Sequence, residues 1–157
     1  MGRPRALNLV DVDGHKLSTA DGHVTVLIVT TKADLPKAEA VGDRIPDYCL
    51  GNPTYRMITL VEFGSHSAPM QQFFGAMAQH RLDGEAAKLQ KRYAAKKIEK
   101  DARRDVFAVT DFDGVVSGQL GAESSAFRVF VFGRNGERLR EWDDVPTAEQ
   151  LGEALKL

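Results

Sequence analysis

Cysteine is nearly absent from this chain, and its scarcity excludes several kinds of site. Cys49 is the only cysteine among 157 residues. A single thiol excludes a disulfide within the chain, a two-cysteine redox motif and a zinc site built from several cysteines. The histidines His15, His23, His66 and His80 are scattered along the sequence, and no two have the spacing of a metal-binding pair. We therefore expect neither a metal nor another cofactor.

An excess of one charge and long apolar runs are lacking too. The 21 basic and 22 acidic residues leave a formal net charge of -1, which gives no overall attraction to nucleic acid or to an anionic membrane. The apolar runs have the length of a strand, so no membrane-spanning segment is predicted. Residues 1–5 include two arginines, but no apolar region follows them. We therefore expect no signal peptide and a cytoplasmic location. A mature exported domain would have the same features.

The length and composition are those of a globular domain. With 43% hydrophobic and 27% charged residues, a chain of this length can form a core without metal or disulfide crosslinks. We expect one domain over residues 1–157, with residues 1–6 as a flexible tail.

Apolar periodicity predicts the order of the secondary structure. Residues 7–18 predict a β-hairpin with its turn at Asp13-Gly14. Further strands are predicted over residues 24–30, 55–63, 106–110, 127–132 and 137–142. Helices are predicted from Asp34 to about residues 48–50, from Ser67 to residue 104, and after Pro146.

This order predicts the architecture. Two strand–helix–strand crossovers indicate parallel core strands, because parallel neighbours need a long, right-handed connection. Asn135-Gly136 is typical of a type I′ turn and predicts an antiparallel hairpin near the end of the chain. The expected fold is a three-layer α/β/α sandwich with a mixed sheet, an N-terminal hairpin, and a C-terminal hairpin followed by a helix.

Several motifs resemble those of the thioredoxin-like superfamily, and they extend through nearly the whole chain. Residues 11–18 resemble the N-terminal hairpin of peroxiredoxin-type and membrane-anchored thioredoxin-type proteins. Residues 130–136 and 145–151 resemble the late hairpin and the opening of the last helix in those proteins. Residues 118–126 are similar to the YtfJ-type members, which lack the redox motif. The resemblance implies a thioredoxin-like fold.

The sequence departs from this pattern at the thioredoxin active site. A thioredoxin carries Cys-x-x-Cys where the first core strand meets its helix, so that the first thiol faces helical N–H groups. Ala33 and Pro36 occupy approximately those positions here. No cysteine follows the threonines as in a peroxiredoxin, and Ala126 or Phe127 stands where the family has a cis-proline.

The residues that remain at this junction form a vestigial active-site edge. They are Thr30, Thr31, Lys32, Ala33, Asp34, Pro36 and Phe127. As a polar strand end at the start of a helix, this edge could hold an anion or a carboxylate.

Two functional hypotheses follow from the missing thiols. The preferred one is a redox-inactive thioredoxin-like domain that binds another protein and is not an enzyme. The alternative is a one-cysteine thiol oxidoreductase or peroxidase that uses Cys49. Because Cys49 is predicted near the end of the first helix, one element away from the expected active site, a structural cysteine is the simpler interpretation.

A basic segment near the end of the long helix is a second candidate surface. It contains Lys88, Lys91, Arg92, Lys96, Lys97, Lys100, Arg103 and Arg104. A solvated helix face is the simplest interpretation, and a docking surface for an acidic protein is the alternative. Tyr93 is its only aromatic residue, so base stacking and nucleic-acid binding are not expected.

Residues 111–115, Asp-Phe-Asp-Gly-Val, resemble the nucleophile motif of haloacid-dehalogenase-type phosphatases. There the first aspartate attacks phosphorus and the second acts as acid and base. Residues 118–157 are too few to complete such an enzyme, and the same Asp-x-Asp-Gly pattern at residues 11–14 is predicted to be a turn. We expect a turn at residues 111–116, with phosphatase chemistry as a third hypothesis.

Overall fold

Strands and helices alternate along residues 6–120 and 127–156, which the computed structural model describes. The strands are β1 (Asn8–Val10), β2 (Lys16–Ser18), β3 (Val24–Thr31), β4 (Tyr55–Gly64), β5 (Phe107–Phe112), β6 (Arg128–Phe132) and β7 (Arg138–Trp142). The α-helices are α1 (Leu35–Asp43), α2 (Ala68–Ala95) and α3 (Ala148–Leu155). Short 3-10 helices cover Lys32–Asp34, Asp47–Cys49, Ala102–Asp105 and Ser117–Leu120. None of the described helices has the length and hydrophobicity needed to span a membrane.

The larger sheet is mixed, as the sequence predicts. Its strand order is β5-β4-β3-β6-β7. β3, β4 and β5 are parallel to one another, whereas β6 is antiparallel to β3 and β7 is antiparallel to β6. β1 and β2 form a separate antiparallel hairpin. The central strand β3 is β-branched and buried on both faces, as expected for a strand with neighbours on both sides and cover above and below.

Each face of this sheet has its own cover. α1 and α3 pack on the face of β3 that carries Val24, Val26 and Ile28, and α2 covers the same face of the sheet at β5. The other face is covered by three leucines of the N-terminal hairpin and by Leu120. The predicted three-layer sandwich is confirmed, and the hairpin with the Ser117–Leu120 turn forms the second outer layer.

The hairpin also reaches the edge of the sheet. The Val12 N–H donates to the carbonyl oxygen of Ala108 at 2.9 Å, so the hairpin loop covers part of the outer edge of β5. Arg103 donates to both carboxylate oxygens of Asp13 at 2.8 and 2.9 Å, which ties the loop to the turn before β5. The opposite edge of the sheet is β7.

Two predicted helix ends are wrong. α1 ends at Asp43 because Pro46 disfavours a helical residue before it and has no N–H to donate, and Asp47–Cys49 form a separate 3-10 helix. α2 ends at Ala95 instead of residue 104. Lys97 has a positive φ of 57°, and the Ile98 N–H donates to the Tyr93 carbonyl oxygen at 2.8 Å, which closes the helix in the manner of a Schellman motif.

Two predicted turns also differ. Among residues 133–136, only Gly136 has a positive φ, so Asn135-Gly136 is not the predicted type I′ turn, although the antiparallel hairpin is confirmed. The loop between β6 and β7 contacts the turn before β3, where the Gly22 N–H donates to the Arg134 carbonyl oxygen. Asp111 and Phe112 are the last residues of β5, so the turn expected from residue 111 begins at Asp113.

Candidate active-site edge and binding groove

The carboxyl ends of the parallel strands meet at one edge of the sheet. Thr31 of β3 is paired in register with Glu62 of β4, and Glu62 is paired with Asp111 of β5. Residues paired in this way project from the same face of the sheet. Three polar side chains from separate parts of the sequence are therefore neighbours at the place where α/β proteins commonly bind ligands.

The predicted vestigial edge lies here, at the junction of β3 and α1. Thr30 is buried and its hydroxyl donates to the Thr31 carbonyl oxygen at 3.0 Å, so this hydroxyl is used within the chain. Lys32 and Ala33 are exposed in the 3-10 helix that precedes α1. Asp34 occupies the N-cap position of α1, but its side chain accepts no capping hydrogen bond.

The first turn of α1 also approaches the start of β6. Pro36 is exposed in that turn, and the Lys37 ammonium lies 5.6 Å from the ring centroid of the buried Phe127. The structure thus brings Phe127 to the junction, as its place in the predicted edge requires. The described residues include no cis peptide bond, and Ala126 lies outside them.

Cys49 lies far from this junction. It is buried in the core beside Val24 and Val26, at the amino end of β3. The eight residues of β3 separate the two ends of the strand by about 23 Å. Burial raises the pKa of the Cys49 thiol to about 12, so the unreactive thiol form predominates at neutral pH.

Most cations of the basic segment are paired within the chain. The segment is not one helix face, since it begins on α2 and continues through the following turn to the Ala102–Asp105 helix. Its ion pairs are Lys88–Asp43, Arg92–Asp47, Lys96–Asp47, Lys100–Asp105, Arg103–Asp13 and Arg104–Asp101, with distances from 2.8 to 4.0 Å. Lys91 and Lys97 make no ion pair within the described residues.

Arg92 also has a structural role. Its guanidinium donates to the carbonyl oxygens of Gly42 and Ile45 at 3.3 and 2.9 Å, beyond its ion pair with Asp47. These carbonyls lie at the end of α1, where a cation stabilises the helix terminus. Part of the basic segment therefore holds α1 against α2.

Asp111 organises the turn that follows β5. It is only 1% exposed, and its two oxygens accept hydrogen bonds from the Val116 and Ser117 N–H groups, each at 3.0 Å. Asp113 has a positive φ of 61° and accepts a hydrogen bond from the Ser65 hydroxyl. Because the Asp111 oxygens are used in closing the turn, its geometry favours a structural role over that of a nucleophile.

Glu62 is a partly buried acid that the sequence analysis overlooks. Burial raises the pKa of its carboxyl group, and the nearby charge of Asp111 adds to this effect, whereas the Ser117 hydroxyl and Arg128 oppose it. Its Oε1 atom is buried and accepts no hydrogen bond from the described residues. The only signal in the sequence is an acid at the end of an otherwise apolar strand.

A small cluster in the hairpin loop was also missed by the sequence analysis. Asp11, Asp13 and His15 each place one possible metal-ligand atom within 4.8 Å of the others. Arg103 binds both oxygens of Asp13, and Asp11 accepts hydrogen bonds from the Asp13 and His15 N–H groups. These contacts account for the cluster as a structured turn.

An apolar groove lies beside the junction, between the β3–α1 connection and the first half of α2. We call it the α2 groove. It has a volume of about 480 Å³, and its apolar wall includes Leu35, Val61, Phe63, Phe73, Phe74 and Met77. Met70, Phe73 and Met77 have the spacing of one apolar helix stripe, yet they are 41, 55 and 39% exposed.

A second cavity, of about 300 Å³, lies at the opposite end of the sheet. Cys49, Met57, Leu89 and Tyr93 are among its lining residues. Tyr93 donates its hydroxyl to Asp105 at 2.7 Å, so this polar group is satisfied within the chain.

Comparison with known structures identifies the architecture. No family model and no curated protein matches the chain. StoA from Bacillus subtilis aligns over 99% of this chain and 100% of its own, with a TM-score of 0.54 and 16% identity. The exposed lipoprotein thioredoxin of Streptococcus pneumoniae aligns over 98% and 100%, with a TM-score of 0.59 and 14% identity. A secreted Mycobacterium tuberculosis disulfide oxidoreductase aligns over 96% and 95%, with a TM-score of 0.52 and 13% identity.

The fold is thioredoxin-like. This confirms the resemblance in the sequence motifs, and the low identities make it a statement about the fold alone. In a thioredoxin-like fold, the β3–α1 junction is where the resemblance places the redox thiols. This chain has Ala33 and Pro36 there.

Replacing Asp111 with asparagine should destabilise the protein by about 1–3 kcal/mol. The asparagine oxygen could still accept one of the Val116 and Ser117 N–H groups, but its NH2 group would face the other donor. Urea denaturation would measure this loss. Asp113→Asn is the matched control and should cost less, since Asp113 is exposed. Hydrolysis of p-nitrophenyl phosphate with Mg²⁺ that is abolished in folded Asp111→Asn protein would instead support the phosphatase hypothesis.

Replacing Glu62 with glutamine should stabilise the protein at pH 7, by no more than about 1 kcal/mol. A carboxyl group with a raised pKa in the folded state costs stability as the pH rises from its ordinary value of 4.5 through the folded-state value. The gain should therefore disappear below pH 4.5. Denaturation midpoints between pH 4 and pH 8 would show this, with the exposed Glu141→Gln as control. A gain that is equal at every pH would contradict the assignment.

Proposed function

We propose that this chain is a redox-inactive thioredoxin-like domain that binds another protein at the edge where thioredoxins carry their thiols. The observation that carries the proposal is the separation of thiol and junction. Ala33 and Pro36 stand at the junction, and the only thiol, Cys49, is buried at the other end of β3. The fold is retained without the pair of thiols that redox exchange requires.

The similar structures support the redox-inactive part of this proposal, because they have the same fold and include proteins named as thiol-disulfide oxidoreductases. A thiol-disulfide oxidoreductase from Bacteroides fragilis aligns over 98% of this chain and 100% of its own, with a TM-score of 0.54. These structures share the fold over whole chains, whereas the junction of this chain has Ala33 and Pro36 and no cysteine. Binding is the function that such a scaffold can perform without thiols.

The one-cysteine alternative has less support. A catalytic thiol must be accessible and must form a thiolate, usually with help from a neighbouring cation. Cys49 is buried with a raised pKa. Arg44 and Arg56 are the arginines that flank Cys49 in the sequence. Arg44 donates to the Pro146 carbonyl oxygen and Arg56 is bound to Asp21, so both have other partners.

The exposed apolar surface beside the junction supports the second part of the proposal, that the chain binds another protein. Phe73 and Met77 expose much of their side chains in the same groove lining as Lys32 and Leu35. Contiguous apolar surface of this kind is typical of interaction sites. The basic segment offers less, because most of its cations are paired within the chain.

The cytoplasmic location expected from the sequence stays a prediction. Two of the similar structures are those of an exposed lipoprotein and of a secreted protein. Protein binding without thiol chemistry is compatible with either side of the membrane.

The purified protein should not catalyse reduction of insulin by dithiothreitol. Introducing Ala33→Cys and Pro36→Cys together, in a Cys49→Ser background, should raise the rate at least about tenfold. Thiols at the start of α1 would lie near free helical N–H groups, which lower a thiol pKa. Insulin precipitation would measure both rates.

Ala33→Cys alone in the same background is the control, and it should remain inactive because no second thiol resolves the mixed disulfide. Insulin reduction by the wild-type chain that is lost in Cys49→Ser would support the one-cysteine alternative. A double-cysteine variant that folds and forms its disulfide but stays inactive would contradict the assignment of the junction as a former redox site.

A photo-crosslinking amino acid at position 32 should form adducts with a partner protein in the cells that produce the chain. The same amino acid at position 97 should form few, although Lys97 is also exposed and makes no ion pair within the described residues. Mass spectrometry of adducts from the two positions would test the location of the binding edge. Adducts from position 97 alone would assign binding to the basic segment.

A further inference from the structure

The first half of α2 presents apolar side chains that the described residues leave partly exposed. Met70, Phe73 and Met77 follow one another at spacings of three and four residues, so they lie along one stripe of the helix. Exposing such side chains is unfavourable in water, by about 25 cal/mol for each Å². The stripe therefore favours burial against a partner.

Aromatic stacking contacts fix the wall of the groove beneath the stripe. Phe74, next to Phe73, stacks on Phe63 of β4 with ring centroids 4.4 Å apart, and Phe63 stacks on Phe112 of β5 at 5.5 Å. His66 meets the edge of the Phe74 ring at 4.9 Å. These contacts hold the start of α2 over the ends of β4 and β5. An occupant would meet a preformed groove and would not have to order it, which favours binding.

The charged residues in the groove lining, Lys32 and Arg81, are both cationic. Lys32 and His80 are exposed in this lining, and neither makes an ion pair within the described residues. Arg81 also belongs to the lining, but it donates to the Leu35 carbonyl oxygen and to Glu39 at 3.3 and 3.1 Å. None of the lining residues is acidic.

A second copy of this chain fits the groove poorly. Residues 65–82, which include the exposed stripe, contain no acidic residue. Pairing two such helices would therefore bring no carboxylate from this segment to Lys32 of the other copy. Charge complementarity favours a different chain that supplies carboxylates.

We propose that the α2 groove binds an amphipathic helix of a partner protein whose apolar face is flanked by acidic residues. The helix would bury its apolar side chains against Phe73 and Met77, and a carboxylate would pair with Lys32. Methionine and phenylalanine suit such helix-in-groove recognition because they adapt to the shape of the incoming side chains. This inference rests on the proposed function and names its partner class.

A pool of fluorescent helical peptides of about 16 residues would test this, with leucine, methionine or phenylalanine on one face and glutamate on the flanks. A second pool would carry lysine in place of each glutamate. Fluorescence anisotropy with the full chain should show binding of the acidic pool at least about tenfold tighter than that of the lysine pool, and added salt should reduce the difference.

Phe73→Asp should reduce binding of the acidic pool at least about tenfold, and Lys32→Glu should remove the preference for acidic peptides. Val115→Asp is the matched control, because Val115 is an apolar side chain that is 66% exposed outside the groove lining. Its binding should equal that of the wild type. Circular dichroism would show that the variants keep their helices.

Three results would overturn the proposal. The first is that both peptide pools bind equally well, or that neither binds. The second is that Phe73→Asp and Val115→Asp reduce peptide binding equally. The third is self-association of the chain in sedimentation experiments that Phe73→Asp abolishes. If the peptides do not bind but position 32 forms adducts, the amphipathic helix is rejected as the partner, and the proposed function is retained. Insulin reduction by the wild type would remove the proposed function independently of any peptide result.

Discussion

Burial of β3 on both faces is the constraint on which the rest of the structure depends. A strand that carries Ile28 on one face and Leu27 on the other cannot face water on either side, so the chain must supply two covers. α1 and α3 form one cover, and the N-terminal hairpin forms the other. None of these contacts involves the positions where a thioredoxin has its thiols. The core therefore does not depend on redox chemistry, and a chain can lose that chemistry and keep its fold.

Two acids at the carboxyl edge of the sheet show how position decides the role of a residue type. Asp111 and Glu62 are neighbours in register. Asp111 accepts two backbone hydrogen bonds that close a turn, so its burial is compensated. Glu62 has a buried oxygen without a partner in the described residues, and the cost appears as a raised pKa. The same edge thus holds one stabilising acid and one that opposes folding at neutral pH.

The sequence predicts the strand order and the crossovers well because β-branched runs such as β3 and β4 carry strong local signals. It does not predict where α2 ends, since the left-handed Lys97 is not a residue that usually marks a helix end. Nor does it predict the α2 groove. Met70, Phe73 and Met77 have the periodicity of a buried stripe, and only the three-dimensional arrangement shows that the described residues leave them largely exposed. The position of Glu62 beside Asp111 depends on strand register, which single segments do not encode.

The covered edge of β5 has a consequence for how a partner is recognised. Many binding domains lengthen their sheet by accepting an extended peptide along a free edge. Here the Val12 N–H already occupies the Ala108 carbonyl on one side, and β7 on the other side carries exposed Arg138, Arg140 and Glu141. Charged side chains along an edge strand discourage the addition of another strand. Recognition through backbone hydrogen bonds is disfavoured at both edges of the sheet, β5 and β7. A partner must therefore be selected by shape and side-chain chemistry.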